Sequence, residues 1–251
     1  MIRDITIGQF YPGNSFVHKL DPRTKINITF VFIISLFIKP SFVSYIFAVT
    51  VILMVIKITE IPIKFMLKGL KAIFIIILMT VIFNLFLTPG EVVIRIWKLT
   101  ITREGLQIAL LMGSRLIMLI IGSSILTLTT TPITLTDGIE RLLQPLKRIG
   151  VPAHEIAMMM TIALRFIPIL LEETDKIMKA QMARGADFET GGLLKRAKNM
   201  VPLLVPLFIS SFRRADDLAI AMEARCYRGG EGRTRMVALK YSRLDIIAYI
   251  F

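Results

Sequence analysis

The sequence predicts an all-α, multi-pass membrane protein that carries a helical domain outside the bilayer, and three observations predict it. Apolar residues make up 55% of the 251 positions, for a mean hydropathy of +0.69, and the excess is gathered in long runs that suit a lipid solvent. From Thr131 onward those runs give way to frequent charges, recurring prolines and apolar positions at helical spacing. The 31 Lys and Arg against 18 Asp and Glu, a net charge of +13, are unevenly distributed between the loops, as orientation in a membrane requires.

The elements follow in order. The chain begins Met1-Ile2-Arg3-Asp4, stays polar through Asp21-Pro22-Arg23-Thr24-Lys25, and lacks a small-residue cleavage site after its first apolar run, so the start does not read as a secretory signal. Apolar stretches over residues 26–38 and 42–56 form a helical hairpin, with Lys39 at its tip because Pro40 disfavours helix in the residue before it. A third span over 72–87 ends at Thr88-Pro89-Gly90, a turn signal, and a fourth covers 106–128. Placing the N-terminus inside puts Arg3, Lys19, Arg23, Lys25, Lys57, Lys64, Lys68 and Lys71 on the cytoplasmic side, and leaves Lys39, Arg95, Lys98 and Arg103 outside. That placement accounts for the positive charge without nucleic acid.

The fourth span holds Gly113-Ser114 and Gly122-Ser123-Ser124, small residues that let a second helix approach closely. The partner helix is either in this chain or in another membrane subunit. Arg115, read as near the start of the span, is expected to snorkel to the interface. Residues 1–131 thus form a membrane domain of about four spans, residues 132–244 a helical cytoplasmic domain, and residues 245–251 the start of a last membrane helix.

Within the cytoplasmic domain, helices are expected over 135–148, 153–181 with a bend at Pro168, and 193–225, with Thr136, Asp137 and Asp187 as turn or cap residues and Gly150, Gly185 and Gly191-Gly192 as breaks. The chain repeats itself here at an offset of about 41 residues. Asp175 falls over Asp216, Ile177 over Leu218, Ala180 over Ala221, and Ala183-Arg184 over Ala224-Arg225. Each copy opens acidic and ends Ala-Arg, which suits the helix dipole, but two copies at one spacing point further. Arginine offers a planar, permanently charged fork of donors fitted to a carboxylate or a cluster of carbonyls. Two such tips suit a dimeric cytoplasmic partner.

Several chemistries are excluded. His18 and His154 are too isolated in sequence to suggest a metal cluster, a single Cys226 makes no disulfide framework, and no GxxxxGK[ST] phosphate loop occurs. The run Cys226-Tyr227-Arg228-Gly229-Gly230-Glu231-Gly232-Arg233 has neither strand nor lysine-bearing helix start around it and reads as a return loop. A membrane-embedded enzyme would cluster His, Asp or Glu within its spans, and the spans hold no interior acid. A channel or secondary transporter would converge polar residues near the midplane, where little stands beyond Asn84.

The ordered series Lys19-Leu20-Asp21-Pro22-Arg23-Thr24-Lys25, Leu142-Leu143-Gln144-Pro145-Leu146-Lys147-Arg148, Ala163-Leu164-Arg165-Phe166-Ile167-Pro168, Ala183-Arg184-Gly185-Ala186-Asp187-Phe188 and Phe212-Arg213-Arg214-Ala215-Asp216 leading to Ala224-Arg225-Cys226-Tyr227-Arg228-Gly229-Gly230 resembles the T components (EcfT) of energy-coupling-factor transporters, in the CbiQ-like family, over nearly the whole chain. The resemblance implies a non-catalytic, multi-pass scaffold in the cell membrane with a cytoplasmic N-terminus. Its cytoplasmic coupling domain would dock on two ABC ATPases, and its membrane domain would hold a small substrate-binding S component for vitamin or micronutrient uptake. It also implies that the chain binds no cofactor itself, ATP and Mg belonging to the ATPases. The motifs Ala183-Arg184-Gly185 and Ala224-Arg225-Cys226 match the family's docking motifs. Cys226 replaces the usual glycine, which argues against a special backbone conformation there while leaving the arginine's role intact. Gly113, Ser114, Met158, Met159, Met160, Ile177, Met178 and Met182 are expected to contact the S component, since methionine repacks easily, and an ordinary helical core accounts for each methionine equally well. A T component dedicated to cobalt or nickel stays open beside one shared among several S components.

Overall fold

The structure, a computed structural model, describes residues 10–38, 41–96, 99–188, 192–230 and 239–250. In chain order these form α1 (Phe16–Lys19), α2 (Pro22–Ile38), α3 (Phe42–Thr59), α4 (Ile63–Leu87), β1 (Val92–Ile96), β2 (Leu99–Thr102), α5 (Arg103–Thr129), α6 (Pro132–Leu143), a 3-10 turn (Gln144–Ile149), α7 (Ala153–Ala183), α8 (Leu193–Ala224) and α9 (Arg243–Ile250). They divide into two compact units, one of residues 10–138 with 239–250 and one of residues 139–230. The first half of α6 therefore belongs with the membrane helices, and the chain returns to them by residue 239.

In the first unit, α5 packs against α2, α3 and α4. Leu36, Tyr45, Ala48, Ile52 and Met118 form one buried cluster, and Ile61, Met66, Ile125 and Leu128 a second. The outward faces are as apolar as the core: Val43 is 76% exposed and Ile75 73%. That inversion is stable only in hydrocarbon, because in water such a surface would bury itself against another. α3, α5 and α7 are long and apolar enough to cross a membrane, and α4 joins them if its arms Ile63–Lys71 and Ile73–Leu87, which meet at 63°, count as one span. The bend separates an arm carrying Lys64, Lys68 and Lys71 from one without charge, as a helix entering a bilayer requires. α7, assigned by its charges to the cytoplasmic helices, is thus also capable of crossing by length and composition.

Two glycines of α5 pack closely within this chain. A Cβ on Gly113 would stand 3.0 Å from Val81 of α4, and one on Gly122 3.0 Å from Phe32 of α2. Arg115 lies a dozen residues into α5, about 18 Å along its axis. Its partners stand where α2 ends and α3 begins. Its Nε donates to the Tyr45 hydroxyl at 2.7 Å, and its guanidinium lies 5.1 Å from the centre of the Phe37 ring, so aromatic faces take the place of solvent.

The expected hairpin tip at Lys39 lies outside the described residues. One element departs from the all-helical expectation: β1 and β2 pair antiparallel, with Ile94 opposite Ile101 and Ile96 opposite Leu99. Alternating β-branched residues after the Pro89-Gly90 turn favour a short hairpin over a loop.

The helix expected over 135–148 begins instead at Pro132 and runs from the first unit into the second. The Thr131 hydroxyl accepts from the Thr134 amide at 3.3 Å, and the α-helix ends at Leu143, where the Gln144-Pro145 sequence tightens the chain into a 3-10 turn closed by Gly150 at φ +90°. α7 and α8 run close to the expected bounds and hold Pro168, Pro202 and Pro206 in their interiors.

Candidate functional site

The two Ala-Arg motifs close two long helices in the same way. At the end of α7, the Gly185 amide donates to the Met182 carbonyl at 2.9 Å and the Ala186 amide to Gln181 at 3.0 Å. At the end of α8, the Cys226 amide donates to Glu223 at 2.8 Å and the Tyr227 amide to Met222 at 3.0 Å. Both pairs are the crossed bonds of a Schellman cap, which needs a left-handed residue just past the helix. Gly185 supplies it at φ +86° and Cys226 at φ +56°. The glycine-to-cysteine departure leaves the cap's geometry in place, correcting the expectation drawn from residue type.

Each cap thereby fixes the arginine before it, Arg184 or Arg225, at the last point of its helix. Ala183, Arg184, Gly185, Ala224, Arg225 and Cys226 are all exposed. Among the described residues neither guanidinium makes a hydrogen bond or ion pair. Two permanently charged forks are left ready for partners, with alanine beside each to admit a close surface.

The helices behind the tips touch at equivalent points of the repeat. Glu173 of α7 receives the Ser210 hydroxyl and an Arg214 Nη2 at 2.9 Å, both from α8, and Glu173 and Arg214 are themselves related by the 41-residue offset. From that point each arm runs eleven residues, Glu173 to Arg184 and Arg214 to Arg225, about 16 Å of helix. The tips are therefore matched in chemistry, cap and reach. Close by, the Gln181 side chain donates to the Pro202 carbonyl at 3.4 Å, and the Asn199 amide group ties back the loop after α7 through the Asp187 carbonyl at 2.6 Å. The loop after α8 is seated by glycine: a Cβ on Gly230 would stand 2.6 Å from the His154 ring, whose Nδ1 lies 3.1 Å from Glu140. The rest of the Gly/Arg-rich run, from Glu231, lies outside the described residues.

The residues expected to meet a membrane partner are distributed differently. Met159, Met160 and Met182 are exposed, Met158, Ile177 and Met178 partly so. Gly113 is buried against α4, and the half-buried Ser114 turns its hydroxyl to the Leu111 carbonyl at 3.0 Å. Sequence reasoning missed a stronger feature: Val201, Leu204, Val205, Phe208, Ile209 and Phe212 form a stripe along α8, each 45–69% exposed. Their spacing of three and four was legible as helix periodicity, but periodicity alone does not tell a buried face from an open one.

A second missed feature is the corner built on Asp21–Lys25. Asp21 accepts from the Arg23 amide and from its guanidinium, at 2.9 Å in each of three bonds, capping α2 with Pro22 in its first turn. Lys25 Nζ donates to the carbonyls of His18 at 3.1 Å and Thr129 at 2.9 Å. Asp245 of α9, 1% exposed, accepts from the Asp21 amide at 2.8 Å and the Ser242 amide at 2.7 Å.

Residues 13–236 match the model of the CbiQ family, described as cobalt transport protein. A protein of Clostridium kluyveri called energy-coupling factor transporter transmembrane protein EcfT is 62% identical over 99% of this chain and 93% of its own length. Proteins of the same name from Thermosediminibacter oceani and Bacillus subtilis are 60% identical, over 99% of this chain and 94% of theirs, and 47% identical, over 98% and 93%.

Proposed function

Because the chain belongs to the CbiQ family and is a transmembrane component of an energy-coupling-factor transporter, we propose that it couples ATP hydrolysis by two ABC ATPases to uptake of a vitamin or micronutrient through a separate S component. The observation that carries this reading is the matched pair of tips. Arg184 and Arg225 end two arms of equal length on the same cap, and an ATPase pair offers two equivalent acceptors for them. ATP-driven approach of the ATPases would draw the arms together about the Glu173–Arg214 contact. The chain itself does no chemistry in this account.

The S component would rest on the open apolar surface of the same unit. The α8 stripe from Val201 to Phe212 supplies area, and Met159, Met160 and Met182, with Met158, Ile177 and Met178 behind them, supply a surface that repacks as the arms move. Gly113 would act indirectly, by letting α4 and α5 close, with Ser114 at the margin. The N-terminus and the α6–α8 helices lie on the cytoplasmic side, since the basic segments on that side outnumber those opposite.

The family model's description, cobalt transport protein, favours one second reading, a T component dedicated to cobalt instead of one shared among several S components. The test is mass spectrometry of the intact complex purified in mild detergent. Two ABC ATPases and one small membrane protein are expected, and that protein's identity separates the readings. A stable chain without ATPases would overturn both.

A further inference from the structure

Among the described residues the chain leaves the membrane unit after Gly138 and is back in it by residue 239, and both crossings are fastened to one short segment. On the way out, Gly138 lies so close to the start of α2 that a Cβ would stand 3.1 Å from both Pro22 Cβ and Ile26 Cδ1. On the way back, the Asp245 carboxylate grips the Asp21 and Ser242 amides, and the Tyr241 ring lies 3.9 Å beneath the Arg23 guanidinium. Lys25 ties the same turn to the end of α5. All these groups belong to the membrane unit.

Apolar packing already holds that unit together, and burying a carboxylate is costly unless its bonds are nearly ideal. A bonded, buried charge cluster adds little net stability but resists sliding, because any displacement leaves a charge unpaired. We propose that Asp245, with Asp21, Arg23 and Lys25, is the joint that receives movement of the arginine-tipped unit: it binds both crossings to the start of α2, so that they move as one body with the membrane helices. These are positioning residues, without contact to nucleotide or transported molecule. The proposal rests on the coupling function given above.

The test uses the complete complex with its ATPases, in a Cys226→Ser background, with nitroxide labels on Ile133→Cys and Ile246→Cys, one beside each crossing, and on Val43→Cys and Ile75→Cys as a control pair. Distances are measured by pulsed electron resonance without nucleotide and with ATP plus vanadate. In the otherwise unaltered chain the Ile133–Ile246 distribution is narrow and the same in both states. Asp245→Ala at least doubles its width and makes it nucleotide-dependent while the control pair stays narrow, and Asp245→Asn, which keeps one of the two acceptor oxygens, gives a width between those of the unaltered chain and Asp245→Ala. Wild-type width in Asp245→Ala, or equal broadening of both pairs, overturns the proposal, the latter because Asp245 would then only hold the fold. If Asp245→Ala does not insert, Arg23→Ala takes its place, with broadening of at least one half expected and an unchanged width overturning the joint. ATPases that fail to bind the unaltered chain would sink the coupling function instead, and the resting widths would still judge the joint.

Discussion

The basic residues near Asp21 and those at the helix tips carry the same charge and opposite fates. Arg23 and Lys25 are enclosed, with carboxylate or carbonyl oxygens at 2.9–3.1 Å, and their bonds are spent within the chain. Arg184 and Arg225 stand at the ends of 31- and 32-residue helices, exposed and without a described partner. A charge satisfied internally holds structure in place, whereas one held out by a rigid cap is available to another molecule. The difference is set by backbone: the first pair sits in the opening turn of a packed helix, the second just inside Schellman caps.

The comparison breaks most decisively at the tips. Arg184→Glu with Arg225→Glu is expected to abolish ATPase association while membrane insertion and the yield of the chain are unchanged, since truncating one side of a desolvated charge pair already costs about 2–5 kcal/mol and reversal adds repulsion. Co-purification with both ATPases in normal ratio would show that the exposed arginines are ordinary surface. Each single reversal should remove one ATPase contact and leave the other, if the two arms are equivalent.

The converse experiment is Lys25→Ala. It strips two buried carbonyls of their donor, for an expected loss of about 2–3 kcal/mol, seen as a lower melting temperature in detergent with ATPase binding intact at low temperature. A wild-type melting temperature would mean that the corner is not held by its charges. Next in size is Phe208→Asp on the α8 stripe. It should raise solubility of the isolated chain and lower S-component recovery at least ten-fold, leaving the ATPases bound; normal recovery would move the S component off this face.

How far these regions could be read from sequence differs for a physical reason. The ends of α7 and α8 were legible because a helix end is local chemistry: Ala-Arg, then glycine or cysteine, within three residues. The membrane helices were legible because hydrocarbon demands long apolar runs. The Asp21–Asp245 bond was not, since its partners are 224 positions apart and nothing in either segment names the other. The β1–β2 hairpin escaped because nine strand residues, all Val, Ile, Leu or Thr except Arg95, look like loop or helix margin between two apolar spans until a partner strand is known.

The smallest expected effect tests the equivalence of the two tips. An L-residue held left-handed costs on the order of 1 kcal/mol against glycine, and glycine returns part of that through the unfolded chain's greater freedom. Cys226→Gly should therefore tighten the α8 cap by less than about 1 kcal/mol, slowing hydrogen exchange at the Tyr227 amide by up to about five-fold, with no change in ATPase binding. Gly185→Ala should do the reverse, loosening the Ala186 amide by a similar factor, because no neighbour lies within 4 Å of the added Cβ and only the backbone resists it. Matched, opposite shifts would mean that the two arms end on the same strained bond geometry and that the chain tolerates the cysteine through the strength of the helix behind it. If Cys226→Gly left exchange at Tyr227 unchanged, the second cap would owe nothing to a left-handed residue, and the likeness of the tips would reduce to their arginines.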